Sequence, residues 1–287
     1  RNWPSVGLLH LPSPPSLREI LLVRRRADRC CSRARTDRQV ISIHFASLET
    51  QGAAHASRGA VTSRAAMSSA QHQADFYTQG KAYWETIPAT VDGMLGGYSE
   101  ISSIDVHSSN RFLNTFLQRK ENPLGTQRAL DCGSGIGRVT KHLLLPLFDT
   151  VDMVEQNQSF LNGARAYIGQ EAHRVDQLYC SGLQDFVPEE GKYDVIWCQW
   201  VTGHLTDKDL VAFLRRCRTG LRQDGILVVK DNLTRDEVDV DNRDGSVTRP
   251  RSLFEQLFEK AGMHIVAERK QYKFPKGLYE VRMFALQ

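Results

Sequence analysis

The sequence predicts an α/β protein: a Rossmann-like, mainly parallel seven-stranded sheet with a C-terminal antiparallel hairpin and an N-terminal helical extension. Three observations carry this. Short apolar runs alternate with amphipathic helical stretches between Arg128 and Lys230, the rhythm of consecutive β-α units. Between the first run and the first helix stands Gly133-Ser134-Gly135-Ile136-Gly137-Arg138, where glycines let the backbone come close to a ligand. Near the end of the chain, strands over 264–269 and 279–286 are separated by about nine residues, too few for a helical crossover, so they must pair antiparallel.

Taken in order, residues 1–66 stand apart from that pattern. They hold 11 Arg, no Lys and four acids, Glu19, Asp28, Asp37 and Glu49, a net of +7. Because the whole chain carries only +4, the remainder is mildly acidic. With Pro12, Pro14 and Pro15, Arg24-Arg25-Arg26 and no sustained period, this stretch is expected to be a disordered basic tail or a leader ahead of a natural start at Met67. The Arg-rich, acid-poor composition also fits a transit peptide. Without interleaved aromatics the basic run is not expected to contact nucleic acid. No stretch approaches 18 consecutive apolar residues, so no membrane span is expected.

Residues 67–124 read as an N-terminal helical lid or substrate segment and 125–287 as the sheet domain. Residues 71–87 are helical until Pro88 stops them, and Phe76, Tyr77, Tyr83, Trp84 and Ile87 give an aromatic face that packs on the sheet domain or lids a pocket. Thr90 to Tyr98 is a loop with three glycines. Ser108 caps a helix over 109–119 that presents Phe112, Leu113, Phe116 and Leu117 on one face. A first strand over 128–132, a helix over 138–147, a strand over 150–155, a helix over 157–168 and a strand over 178–181 follow. The fourth, central strand is Tyr193 to Cys198. Thr206 and Asp209 form a capping box for a helix with a stripe of Leu210, Phe213, Leu214, Cys217 and Leu221, and Arg215, Arg216 and Arg218 crowd its cation-favouring end. Gly225 to Lys230 is the fifth strand and 251–261 a last helix. Cys132, Cys180, Cys198 and Cys217 lie in or beside core elements without C-x-x-C spacing, so they read as buried reduced thiols of an intracellular protein, with no metal site.

Ligands of such sheets bind beyond the carboxyl ends of the strands. Glu155 ends the second strand, 22 positions after Gly133, close to the roughly 20-residue offset at which an acid reaches a ribose hydroxyl. The G-x-G-x-G spacing followed by Arg138 departs from the G-x-G-x-x-G of dinucleotide folds. It matches S-adenosylmethionine better, which has no phosphate and presents a carboxylate, a ribose and an adenine. Other strand ends offer Leu183-Gln184-Asp185, Gln199-Trp200 with His204, and Asp231-Asn232. In the loop over 232–250, Asp236, Glu237 and Asp239 read as solvated, whereas Asp241 and Asp244 lie where the loop can fold back over the site.

These residues, together with Tyr83-Trp84, Val91-Asp92-Gly93-Met94-Leu95-Gly96-Gly97-Tyr98, Gly182-Leu183-Gln184-Asp185-Phe186, Trp197-Cys198-Gln199-Trp200, Gly203-His204-Leu205-Thr206-Asp207 and Lys230-Asp231-Asn232, carry a resemblance. Residues 75–287 resemble the protein N-terminal α-amine methyltransferases, class I S-adenosylmethionine-dependent enzymes acting on proteins that begin Xaa-Pro-Lys. The resemblance implies that Gly133, Arg138, Glu155, Leu183, Gln184 and Gln199 hold S-adenosylmethionine. It implies that Trp84, Trp200, Asn232, Asp241, Ser246 and Tyr279 line a peptide channel, with Asp244 and His204 catalytic. Glu155 stands where Asp is the family's choice, and Gly245 stands where a bulkier residue is expected.

The residues make chemical sense on their own terms. An α-amine, with a pKa near 7.7 to 8.0, is mostly protonated at neutral pH and must lose a proton before it can attack a sulfonium methyl. A carboxylate such as Asp244 can bind the ammonium and relay its proton, and an imidazole such as His204 is matched to general-base work near pH 7. His204 also admits a simpler role in orienting its loop, and both tryptophans could be core. Alternatives are a methyltransferase of a small amine or lysine side chain, or a silent cofactor-binding module. The expected partner is an N-terminal Xaa-Pro-Lys peptide, the expected state a monomer, and the expected location nucleus and cytoplasm.

Overall fold

The computed structural model describes residues 74–287; the expectations for residues 1–66, and for 71–73 at the start of the first helix, lie outside the described residues. Helix α1 spans 74–85 and gives way to a turn ahead of Pro88. The expected glycine loop contains a one-turn helix, α2 (Val91–Met94), because Thr90 caps it through its side chain, which accepts from the Gly93 N–H at 3.0 Å. Helix α3 runs over Ser102–Leu117, starting earlier than expected, and Ser108 is not its cap. Ser108 sits inside the helix and its hydroxyl accepts from Gln271 Nε2 at 3.1 Å.

Strands β1 (Arg128–Cys132), β2 (Thr150–Glu155), β3 (Val175–Cys180), β4 (Tyr193–Gln199) and β5 (Leu221–Thr234) are parallel in the order β3-β2-β1-β4-β5. After β1 the helix expected over 138–147 forms over 138–144, and widens to π-type bonding at Thr140–Leu144. Helices α4 (Gln158–Ile168), α5 (Asp207–Gly220) and α6 (Arg251–Lys260) complete the crossovers. Every residue of β4 is buried, as a central strand covered on both faces requires. The last two strands, β8 (Ile265–Lys270) and β9 (Glu280–Leu286), are an antiparallel pair, and β9 docks antiparallel on β5, as expected from their short connection.

A further stretch departs from expectation. The loop over 232–250 is a hairpin in its middle: β6 (Asp239–Asp241) pairs antiparallel with β7 (Ser246–Pro250), and the end of β5 pairs in parallel with β7 through Leu233 and Thr234. The overlong β5 is what carries this hairpin beyond the sheet edge, on the side where the other strands end.

Alternate residues of the strands feed two cores. Leu130, Ile196, Leu227 and Phe284 meet Phe213 and Leu214 of α5 and Phe254 and Phe258 of α6. Ala129, Val151, Val195 and Val228 meet Phe112 and Phe116 of α3 and Leu161 and Ala164 of α4. The Thr206 capping box holds, the side chain accepting from the Asp209 N–H at 3.2 Å. Cys132, Cys198 and Cys217 are buried, but Cys180 is exposed, because it ends the edge strand β3. No helix among the described residues is long and apolar enough to cross a membrane.

Candidate active site

The site assembles where β1 to β5 end. After β1, the N–H groups of Gly133 and Ser134 donate to the Val154 carbonyl at 2.9 and 3.0 Å, which folds the chain back toward β2. Gly133 and Gly135 have φ of +69° and +54°, a region that L side chains enter only with strain, and a Cβ on Gly133 would run into Val201. Met94 of α2 lies against Gly135, so the Met-Leu-Gly-Gly-Tyr stretch covers the glycine loop. Glu155, buried at the end of β2, accepts from the N–H of Gly135 at 3.0 Å and of Asn157 at 2.8 Å. Burial raises its pKa, and the backbone donors work in the other direction. Leu183 and Gln184 follow β3, and their carbonyls accept from Arg216 Nη2 at 2.9 and 3.0 Å. Arg216 thus reaches from α5 to fix the turn on that side.

Arg138 and Gln199 converge on a residue the sequence reading passed over, Asp105 of α3. Arg138 Nη1 donates to Asp105 Oδ2 at 2.7 Å, and Gln199 Nε2 donates to both carboxylate oxygens at 2.9 and 3.0 Å. Lys230 Nζ bonds the same carboxylate and also donates to Ser109 Oγ and Gln271 Oε1, each at 2.9 Å. Asp105, Arg138 and Lys230 are all buried, so the cluster holds two cations against one carboxylate. Burial alone would push the Asp105 carboxyl up, but Lys230 and Arg138 more than reverse that and hold it low. The signal was present in the sequence: Asp105 and Ser109 share the buried stripe of α3 with Phe112, Leu113 and Phe116.

S-adenosylmethionine fits these residues. The glycine turn gives backbone access, Glu155 supplies a fixed carboxylate at the ribose offset, and the Asp105 cluster has one positive charge in excess, suited to a carboxylate.

Beyond β4 the chain turns sharply. Trp200 has φ of +53°, its N–H donates to the Lys230 carbonyl at 2.9 Å, and its indole Nε1 is buried without a hydrogen-bond partner among the described residues. Strain of this kind persists where surrounding structure imposes it, and functional sites are where it clusters. The Arg138 guanidinium lies 5.7 Å from the Trp200 ring centre. The following turn, which carries His204, is held by Arg249 of β7: its Nη1 and Nη2 donate to the carbonyls of Thr202 at 3.0 Å and Leu205 at 2.6 Å, and its Nε pairs with Asp207. Thr202 in turn donates to Asp231, whose other oxygen accepts from the Asn232 N–H at 2.8 Å.

Helix α1 and the β6–β7 hairpin close over that turn. Trp84 Nε1 donates to His204 Nε2 at 2.9 Å, and the Trp84 carbonyl accepts from Asn157 Nδ2 at 3.2 Å. Tyr77 Oη donates to Asp209 of α5 at 2.5 Å, and Gln79 to the Asn242 carbonyl. A Cβ on Gly80 would stand 3.3 Å from the Asp244 carbonyl oxygen and 3.5 Å from His204 Nδ1, so the Asp244 backbone and the imidazole meet beside Gly80, and Trp84 reaches the same imidazole from the next turn of α1. Burial lowers the His204 pKa, and the charge of Asp244 works to raise it. Asp241 and Asp244 shape the hairpin turn, accepting from the N–H of Arg243 and of Ser246, each at 2.9 Å.

Tyr279 and Asn232 are half-buried, but Tyr279 donates to Asp239, which is therefore part of a structural pair and not the solvated residue expected. Trp84 and Trp200 are half-buried rather than core; the core indole is Trp197, which donates to Gln199 Oε1 at 3.0 Å. Among the described residues no group of His, Cys, Asp or Glu is arranged to hold a metal ion.

A family model described as AdoMet dependent proline di-methyltransferase matches residues 72–287. N-terminal Xaa-Pro-Lys N-methyltransferase 1 of Danio rerio is 52% identical over 217 residues, which are 76% of this chain and 97% of that protein. The Homo sapiens protein of the same name is 51% identical with the same coverage. The solved structure of a SAM-dependent methyltransferase from Leishmania major superposes with a TM-score of 0.70 at 34% identity, covering 74% of this chain and 83% of its own. The chain belongs to the family of AdoMet-dependent proline di-methyltransferases, and is an S-adenosylmethionine-dependent N-methyltransferase on a class I fold.

Proposed function

We propose that this chain transfers methyl groups from S-adenosylmethionine to the N-terminal α-amine of proteins beginning Xaa-Pro-Lys. The names of its relatives support the substrate, and one observation supports the chemistry: His204 takes a bond from Trp84 of α1 and feels the charge of Asp244 of the hairpin, whose backbone meets the imidazole beside Gly80.

Gly133, Arg138, Glu155, Leu183, Gln184 and Gln199 hold the cofactor in this reading, which supplies an electrophilic methyl group on a sulfonium. Trp84, Trp200, Asn232, Asp241, Ser246 and Tyr279 border the peptide. Asp244 attracts the ammonium of the peptide, and its field raises the proton affinity of His204 against the effect of burial. Loss of one proton to this pair exposes the nitrogen lone pair, and alignment of nitrogen, methyl and sulfur by the fixed loops supplies most of the rate. The indole faces of Trp84 and Trp200 suit an ammonium that gains methyl groups. Acidic residues on the hairpin suit the Lys at the third position. A monomeric state and a location in nucleus and cytoplasm belong to this proposal as the sequence reading has them.

The test is mass spectrometry of peptides beginning Ser-Pro-Lys and Pro-Pro-Lys after incubation with S-adenosylmethionine, with the wild type and Asp244→Ala. Methyl masses on the α-amine, suppressed at least about 100-fold by the substitution, are expected from removal of a proton-handling group. Methylation confined to the Lys side chain would overturn the substrate. No methylation, with cofactor binding shown by calorimetry, would leave a small amine as acceptor or a silent cofactor-binding module.

A further inference from the structure

We infer that Trp84 is a positioning residue that controls the proton acceptor: its indole N–H caps Nε2 of His204, and the imidazole takes a proton there only after the indole has moved off. The inference rests on the proposed α-amine chemistry and adds to it the control of its base.

An indole nitrogen can only donate. The 2.9 Å bond from Trp84 Nε1 therefore requires a lone pair on His204 Nε2, which places the proton of the neutral ring on Nδ1. Nδ1 is buried and has no hydrogen-bond partner among the described residues, so no competing bond there sets the tautomer. The two rings stand edge to face, with centres 5.8 Å apart and planes at 82°, which aims the N–H at the imidazole edge. The capped state and the protonated state exclude one another. When an ammonium N–H bond breaks and leaves its electron pair on the amine nitrogen, the proton forms a new N–H bond at Nε2 and the ring becomes imidazolium, donating from both nitrogens. Trp84 Nε1–H would then face a second N–H.

The tether allows the exchange. Trp84 lies in the last turn of α1, half-buried, and its backbone carbonyl is held by Asn157. The indole can turn about its side-chain bonds and lay its face on an incoming peptide while the helix stays in place. The charged and titratable groups on the elements packed here are Asp241, Arg243 and Asp244 on the hairpin, Tyr83 on α1, which those three act on, the Arg249–Asp207 pair at the His204 turn, and Asp231, bonded to Thr202. Of these, Asp244 is the one whose charge acts on the ring.

The experiment is long-range proton–nitrogen NMR on the full chain labelled with 15N-histidine, the His204 signals being identified by their loss in His204→Asn. The free wild type is expected to show His204 as the neutral Nδ1–H tautomer. Trp84→Phe, which keeps an aromatic ring and removes the donor, is expected to mix the tautomers and move the titration midpoint up by about half a unit to one unit. An unchanged tautomer and midpoint in a folded Trp84→Phe protein would overturn the inference. A measurement on the wild type decides it if that variant does not fold: the Trp84 indole N–H resonance is expected to shift when S-adenosylhomocysteine and a Ser-Pro-Lys peptide are added. An unmoved resonance with peptide binding seen by calorimetry would overturn the control by Trp84. Absence of peptide binding would overturn the substrate reading instead, and the free-protein tautomer would still decide the cap.

Discussion

Asp105 balances two buried cations with a single carboxylate. Asp105→Asn keeps the shape but leaves Arg138 and Lys230 unpaired in the interior. Breaking a buried pair from one side costs about 3–5 kcal/mol, so urea unfolding at pH 7 should show a loss of that order. Adding Lys230→Met should recover much of it, because one of the two stranded cations is then gone. The carboxyl is held below its usual range, so its contribution is present above the unfolded value and disappears as pH falls through the lower folded value. The gap between wild type and Asp105→Asn should therefore close below about pH 4. Residue by residue, legibility in the sequence followed spacing. Gly133 and Glu155 could be found because a loop and a strand end fix their separation. Asp105 could not be placed while the helix was taken to begin at 109, and Arg216 and Arg249 act through backbone carbonyls that no spacing reports.

At the scale of elements, β6–β7 is what the sequence hid. A three-residue strand with Asp at both ends has no apolar alternation, and its pairing comes from the overrun of β5 rather than from its own side chains. The reverse held for β8 and β9, where chain length alone left one geometry. The hairpin meets α1 through a glycine that the family resemblance marked as unusual. Gly245 has φ of +64°, and a Cβ there would lie 3.2 Å from both Gly80 N and the Phe76 carbonyl oxygen. Gly245→Ala must accept the strain of the left-handed region, about 1–2 kcal/mol, and push α1 away from the hairpin. If that energy falls on the peptide side of the site, KM for a Ser-Pro-Lys peptide rises about tenfold. Cofactor affinity by calorimetry should stay within about twofold, since Gly133 and Glu155 are held by other bonds. A changed cofactor affinity with unchanged KM would show that the α1–hairpin contact serves the cofactor and not the peptide.

For the molecule as a whole, the parallel sheet was readable because both faces of its strands had to be buried, and the two cores did form on alternate residues of the same strands; the spatial order of the strands was not. Each core is completed by helices lying between residues 102 and 260, and β9, the last strand, is paired on both edges. Relatives matched over 97% of their own length align to 217 residues of this chain, and the family model covers residues 72–287, so the Arg-rich stretch before Met67 lies outside the family match. A protein of residues 67–287 is therefore expected to unfold in one transition, with circular dichroism and tryptophan fluorescence giving the same urea midpoint. Its affinity for S-adenosylhomocysteine should lie within about twofold of that of the full chain, because every residue assigned to the cofactor, and every side chain bonded to those residues' side chains above, lies at Ser102 or later. The +7 carried by residues 1–66 is the one feature that could alter this balance, by attracting the anionic carboxylate of the cofactor or repelling a basic peptide. Measuring both proteins at low and at roughly 0.5 M salt separates the two cases: a difference that vanishes with screening is electrostatic. A difference that persists would mean that the leading segment packs against the site, and that the catalytic unit is larger than its relatives indicate.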